Sequence, residues 1–428
     1  MRFREFHKNV KTRIYVMFAF GTVQAMTFPF MAIYFAKSIG ETTTGILLTL
    51  SVAASMVSGA IGGYYADKIG RKKLMVLSEA VFLLSYVLMA VANSPWLHSP
   101  WLTFIGFFIT NICWGVYGPA DEAMLLDVTT ANNRELMYAI FYWVNNLTIA
   151  VGSSIGAIFF ESYRFELFGA MSLVVLASLL ATVFLIEETY VPVHGNGHAN
   201  EHGHHPSATK NGIIHNYVKV LRDRVFVRYV LGGVFVMATE FQLSNYIGIH
   251  LAKVIPNQPL LALRNFVLHI DGVKLLGFLQ TENTILVVLF AAFATTISRR
   301  FPDKRVLAVG LFLQVLGYSV MTVTGSVGLL LVAMLFATIG EVASVPARQA
   351  YLGDLAPHHA RSSYVAVNGM AFGGSRILAS LGVVVGVFTP NWMMGILSMG
   401  VGVLGIALYL SVVNPALARR KNVHSLSA

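Results

Sequence analysis

The sequence predicts an all-α membrane protein, twelve transmembrane helices arranged as two pseudo-symmetric six-helix bundles. Three observations predict it. Charged residues make up only 12% of 428 residues, and the mean hydropathy is +0.67. Apolar runs of spanning length recur along the whole chain. A segment of the first half returns in the second half at a constant offset. Soluble domains of this size carry roughly twice that charge fraction, and a bilayer is the solvent that punishes charge. The single cysteine, Cys113, allows neither an intrachain disulfide nor a cysteine metal site.

A helix needs roughly 20 apolar residues to cross a bilayer. Such runs lie at 14–36, 45–66, 74–93, 101–126, 136–160 and 167–186, then at 225–252, 281–298, 306–325, 327–353, 364–388 and 391–413. The first run follows a basic start (Arg2, Arg4, Lys8, Lys11, Arg13). It exceeds the roughly 7–15 apolar residues of a signal peptide and is read as a retained helix. Only Gly325 and Ser326 separate the ninth and tenth runs.

Of the 30 Lys and Arg residues, 22 fall at the termini and in even-numbered loops and 5 in odd-numbered loops. The positive-inside bias therefore puts both termini in the cytoplasm of a multi-pass inner- or plasma-membrane protein. It also accounts for the net charge of +10 without nucleic acid as a partner.

Pro119 through Asp127, at the end of the fourth span, matches Pro346 through Asp354 at the end of the tenth. The offset of 227 also pairs Arg134 with Arg361 and Ala139 with Ala366. Internal repeats with a site between them mark secondary transporters. The expected division is an N-terminal bundle at 1–187, a cytoplasmic linker at 188–224 and a C-terminal bundle at 225–428. The linker carries His194, His198, His202, His204 and His205 among Gly, Asn and Pro. Imidazole suits zinc or nickel, but no other ligand type fixes a geometry, so it is read as a flexible connection with no metal site.

The loop between spans two and three reads Gly63-Tyr64-Tyr65-Ala66-Asp67-Lys68-Ile69-Gly70-Arg71-Lys72-Lys73. Gly59 and Gly63 form a small-residue face for close helix approach. Asp67 stands at a helix end, Gly70 permits a tight reversal, and the basic cluster anchors one membrane side. Here the chain resembles the major facilitator superfamily, whose signature in this loop is complete. The resemblance implies the major facilitator fold and a conformational latch made by Gly63, Asp67, Gly70, Arg71 and Lys72. The equivalent loop of the second half, Ser298 to Arg305, keeps the charges in a different pattern, so the latch is expected to be asymmetric.

Charges within the spans are Glu79, Asp121, Glu122, Glu240, Glu341, Arg348 and Arg376, with Asp127 and Asp354 at span ends. Each costs a few kcal/mol or more at depth unless paired, solvated or neutralised. Glu341 precedes Asp354 by about 20 Å of helix, which places it near the midplane. Glu240 is similarly deep, and Arg348 lies two turns from Glu341.

Gly340 through Gln349 resembles the tenth span of proton-driven multidrug exporters of the LmrP type, and Pro119 through Asp127 with Arg134 resembles their fourth. That likeness to the drug:proton antiporter branch implies coupling roles for Asp67, Asp127 and Glu341. Glu240, around which no tight motif stands, is carried over from the same resemblance into the proton-coupling set. The expected substrate cavity comprises Asp121, Glu122, Asn145, Glu240, Glu341 and Arg348. Two departures leave the direction of transport open: Asn111 stands where many antiporters place an arginine, and Gly152 and Gly156 lack the accompanying Gly-Pro pair. The first apolar run, 14–36, holds no charged residue, which disfavours peptide symport.

The expected function is proton-coupled export of hydrophobic or cationic small molecules. An exporter of a defined metabolite (a metallophore, glycolipid or sugar) is the nearest alternative, and a sensor or lipid scramblase that uses no proton gradient is the alternative from another class. No enzyme motif is present, and the expected partners are a small-molecule substrate, protons and membrane lipids, acting on a monomer without a cofactor.

Overall fold

A computed structural model describes residues 6–189, 218–263, 266–300, 302–357 and 361–427. The five linker histidines lie outside the described residues. The first half contains α1 (Lys8–Ala25), α2 (Met31–Ile39), α3 (Glu41–Ile69), α4 (Arg71–Val91), α5 (Pro100–Asp127), α6 (Ala131–Phe159) and α7 (Arg164–Leu185). The second contains α8 (Arg224–Phe241), α9 (Gly248–Val254), α10 (Gly272–Arg300), α11 (Asp303–Met321), α12 (Val327–Leu355), α13 (Arg361–Phe388) and α14 (Asn391–Ser427). Two antiparallel hairpins, β1–β2 (Asn93–Ser94, Leu97–His98) and β3–β4 (Gln258–Leu263, Phe266–Ile270), join α4 to α5 and α9 to α10.

These helices make twelve spans, because α1 with α2 and α8 with α9 each form one broken span. Among the described residues, eleven spans are long and apolar enough to cross a membrane. The remaining one, α6, has 29 residues, but Asn145, Asn146, Thr148, Ser153 and Ser154 dilute its apolar character. The first span breaks at a 3-10 turn, Phe28–Phe30, where Pro29 supplies no backbone N–H. The seventh breaks at a π-helical turn, Leu243–Ile247, in which Asn245 leaves helical geometry (φ −119°, ψ −105°).

Three expectations shift. The first span begins at Lys8, so Arg13 belongs to the helix rather than to a basic tail. The eighth begins at Gly272, nine residues before the expected 281, because Lys274 and Gln280 interrupt the apolar run there. The ninth and tenth are separated by 322–326 rather than by two residues. Gly70 forms the turn between α3 and α4 with φ of 101°, a conformation that glycine adopts without steric cost.

Pro119 and Pro346 lie inside α5 and α12 at repeat-related positions. Across the halves, α3 packs on α13 and α6 on α10. Gly45 faces Val384 and Ser380, and Gly277 faces Ala157 and Ser153. Ser153 Oγ donates to Gln280 Oε1 at 2.7 Å, and the hydroxyls of Ser154 and Thr281 pair at 2.7 Å. Glu41 and Lys253 form an ion pair between the halves. All these contacts lie toward the ends of the helices remote from the chain termini, so the halves are sealed together there.

Candidate functional site

Two groups of embedded charges stand out, one in each half. In the first, α1 carries Arg13 to α4 and α5. Its Nε lies 2.7 Å from Asp121 Oδ1, its Nη2 donates to Asp121 Oδ2 at 3.0 Å, and its Nη1 is 3.8 Å from Glu79 Oε1. Tyr117 and Ser178 each donate a hydroxyl to Glu79 Oε1 at 3.0 Å. The guanidinium also sits 5.2 Å from the centre of the Tyr117 ring, a cation–π distance. The Arg13 side chain is only 6% exposed, so its charge must be balanced inside the protein. Two carboxyl groups thus surround one guanidinium.

This cluster borders a cavity of about 340 Å³ walled by aromatic side chains such as Phe20, Phe82, Trp114 and Phe141. Glu122 and Asn145 also line it, and Tyr138 donates to Glu122 at 2.7 Å.

The second group lies on α8 and α12. Glu240 accepts from Gln314 Nε2 at 3.2 Å, and Glu341 accepts from Asn283 Nδ2 at 3.3 Å. Asn283 also donates to Thr338 at 3.0 Å. Glu240 lies in the field of Glu341 and of Arg348, and Glu341 in that of Arg348. The Arg348 side chain lies near Tyr409, while Tyr229 donates to the Arg348 backbone carbonyl at 2.9 Å. From the other half, Tyr142 on α6 lies near Glu341.

Around Gly70, Arg71 is ion-paired with Asp127 and donates from Nη1 to the Ala123 carbonyl at 3.1 Å. Asp67 lies 3.9 Å from Arg71, with its side chain 73% exposed against 29% for Asp127. The N-terminus of α4 is met by Glu188, whose Oε1 accepts from the Arg71 and Lys72 backbone N–H groups at 3.1 and 3.4 Å. Lys72 Nζ donates to the Val183 carbonyl at 2.8 Å. In this conformation Asp127 holds Arg71 and Glu188 caps α4, while Asp67 faces outward. Gly63 looks toward Pro119 on α5.

Outside the membrane-spanning part, Asp223 caps α8 through the N–H groups of Val225 and Phe226 at 3.1 and 3.2 Å. It pairs with Arg419 at 2.9 Å and accepts from Tyr364 at 3.0 Å. Burial pushes this carboxyl up, but Arg419, the Phe226 N–H and Tyr364 together hold it below its ordinary value.

The six residues expected in one cavity are thus divided: Asp121, Glu122 and Asn145 line the first-half cavity, and Glu240, Glu341 and Arg348 cluster in the second half. Sequence reasoning missed Arg13, placed one residue outside the first apolar run. With Arg13 in α1, the reasoning against peptide symport from an uncharged first span fails. It also missed Glu282, at the edge of the eighth run, whose Oε2 is buried without a hydrogen-bond partner among the described residues.

Twelve spans in two halves, sealed at one end and carrying buried charges, define a multi-pass membrane transporter. The chain belongs to the Major Facilitator Superfamily, which it matches over residues 14–263 and 259–426. It is 31% identical over 388 residues, 90% of each chain, to the Na(+), Li(+), K(+)/H(+) antiporter of Planococcus maritimus. It is 24% identical to multidrug resistance protein MdtH of Photorhabdus laumondii, over 82% of this chain and 80% of that one. Among solved structures, a POT family transporter in complex with 5-aminolevulinic acid superposes with a TM-score of 0.73 at 15% identity, covering 96% of both chains. The nucleoside transporter NupG gives 0.70 at 10% identity, covering 94% of this chain and 98% of that one. At such identities the structural likeness speaks for the fold alone.

Proposed function

We propose that the chain is a proton-coupled secondary active transporter that exports hydrophobic or cationic small molecules by alternating access. The observation that carries this reading is the pair Glu240 and Glu341, embedded in the second half and each bonded to a neutral amide, Gln314 or Asn283. An amide offers both a donor and an acceptor, so it can serve a carboxylate or a carboxylic acid in turn. Such a site can gain and lose a proton without leaving an unsatisfied group behind. Further support comes from the first-half cavity, where Glu79, Asp121 and Glu122 outnumber Arg13 and aromatic walls offer a cation their π-faces. Its apolar walls suit ligands of varied shape.

The latch, the cell-membrane location, the cytoplasmic termini, the bundle boundaries at 187 and 225 and action as a monomer belong to the same proposal. The charge asymmetry of the loops supports the orientation. A second reading, exchange of monovalent metal cations for protons, is favoured by the 31% identity to the Planococcus maritimus antiporter.

Proteoliposomes loaded with purified protein provide the test. An imposed pH gradient should drive uptake of ethidium into inside-out vesicles, and collapse of the gradient should stop it. Gradient-driven Na⁺ exchange with no ethidium movement would favour the second reading. Ethidium movement independent of the gradient would sink proton coupling.

A further inference from the structure

A second cavity, about 210 Å³ in volume, lies between the halves and is distinct from the aromatic one. Its lining includes Arg376 of α13, Asn111 of α5, and Ser244 and Asn245 at the π-helical break. Phe107 and Phe241 supply apolar wall. No carboxylate lines it, and Arg376 takes part in none of the ion pairs among the described residues. Arg376 stands in the middle of α13, where an unpartnered guanidinium costs several kcal/mol in a bilayer. Every other embedded cation described above has a carboxylate or tyrosine beside it: Arg13 has Asp121, and Arg348 has Tyr409. Arg376 lacks such a partner among the described residues and faces a cavity that could admit its counter-charge.

We infer that this inter-half cavity binds the carboxylate of an aromatic substrate, with Arg376 as the counter-ion. A guanidinium offers two parallel N–H donors to a carboxylate, a geometry that an ammonium cannot reproduce. Asn245, already donating to the Phe241 carbonyl at 2.8 Å, has a second amide hydrogen for the same anion. The ring of the ligand would pack on Phe107 and Phe241. The two cavities follow one another along α5, since Asn111 lines this one and Trp114, about one turn on, lines the aromatic one. Together they suit a zwitterion, its cationic end toward Glu122 in the aromatic cavity and its carboxylate on Arg376. The inference rests on the transporter reading only in treating the ligand as cargo.

Binding to the full-length protein in detergent tests it without any transport step. Benzoate supplies the charged aromatic probe, benzamide the same shape without charge, and inorganic phosphate a charge without a ring. Benzoate should raise the Tm of wild type in a saturable way, while benzamide and phosphate at equal concentration should not. Arg376→Gln should weaken the benzoate effect by about tenfold or more, and Arg376→Lys should restore only part of it. Equal shifts with benzoate and benzamide, no benzoate shift in wild type, or an unchanged shift in Arg376→Gln would each overturn the inference. A phosphate shift as large as that of benzoate would replace the aromatic carboxylate with a bare anion. None of these outcomes depends on whether protons drive transport.

Discussion

Arg13 and Asp121 hold each other in a setting where neither can be removed alone. Breaking a buried pair by deleting one partner costs about 3–5 kcal/mol, because the other charge is left uncompensated. Arg13→Gln should therefore lower the Tm of the detergent-purified protein markedly, and Asp121→Asn should do so less, because Glu79 remains 3.8 Å from Arg13. Equal, negligible shifts for both would show that water reaches the cluster. The depth of Glu240 and Glu341 was legible in the sequence because long apolar runs flank both. Arg13 was not, because a charge at the edge of an apolar run reads the same whether it faces water or turns inward. Only the acids of α4 and α5, distant in sequence, decide that it turns inward. Asp223 carries a pH dependence of its own. Its carboxyl is held below the ordinary value, so its stabilisation is present above about pH 4 and is lost as pH falls through the folded-state value. The Tm gap between wild type and Asp223→Asn should be full at neutral pH and close in acid. A gap that widens in acid would have the wrong sign.

Among the elements, the turn between α3 and α4 is the part most readable from sequence and the most changed in detail. The glycines and basic residues fall where the motif puts them, with Gly70 at φ of 101°. The motif alone cannot say which acid holds Arg71, since Asp127 and Glu188 come from α5 and from the chain after α7. In this conformation Asp127 is the partner. Asp127→Asn should therefore shift the balance between inward- and outward-open states more than Asp67→Asn does. Even 1–3 kcal/mol is enough to change populations several-fold. Spin-label distances between α3 and α13 measure that balance. A large shift for Asp67→Asn with none for Asp127→Asn would assign the latch to Asp67 instead. The breaks at Pro29 and Asn245 show the limit of hydropathy: the apolar residues on both sides of each break outweigh the few polar ones within it, such as Gln242, Ser244 and Asn245, so each run reads as one helix.

For the whole molecule, the twelve spans and two halves were legible because a bilayer imposes length and composition on every span. Span edges slipped where polar residues serve the interior, as at Gln280 on α10, which accepts from Ser153. The halves are sealed at the end remote from the chain termini, one of the two conformations that alternating access requires. Moving one proton inward at 100 mV supplies about 2.3 kcal/mol, enough to sustain a modest substrate gradient if that proton rides on an embedded carboxyl. Gradient-driven export by Glu341→Gln in proteoliposomes tests this most directly, since glutamine imitates the protonated acid permanently. The variant should fold, keep some substrate counterflow and lose gradient-driven export of cations; full gradient-driven export by correctly folded Glu341→Gln protein would contradict the account.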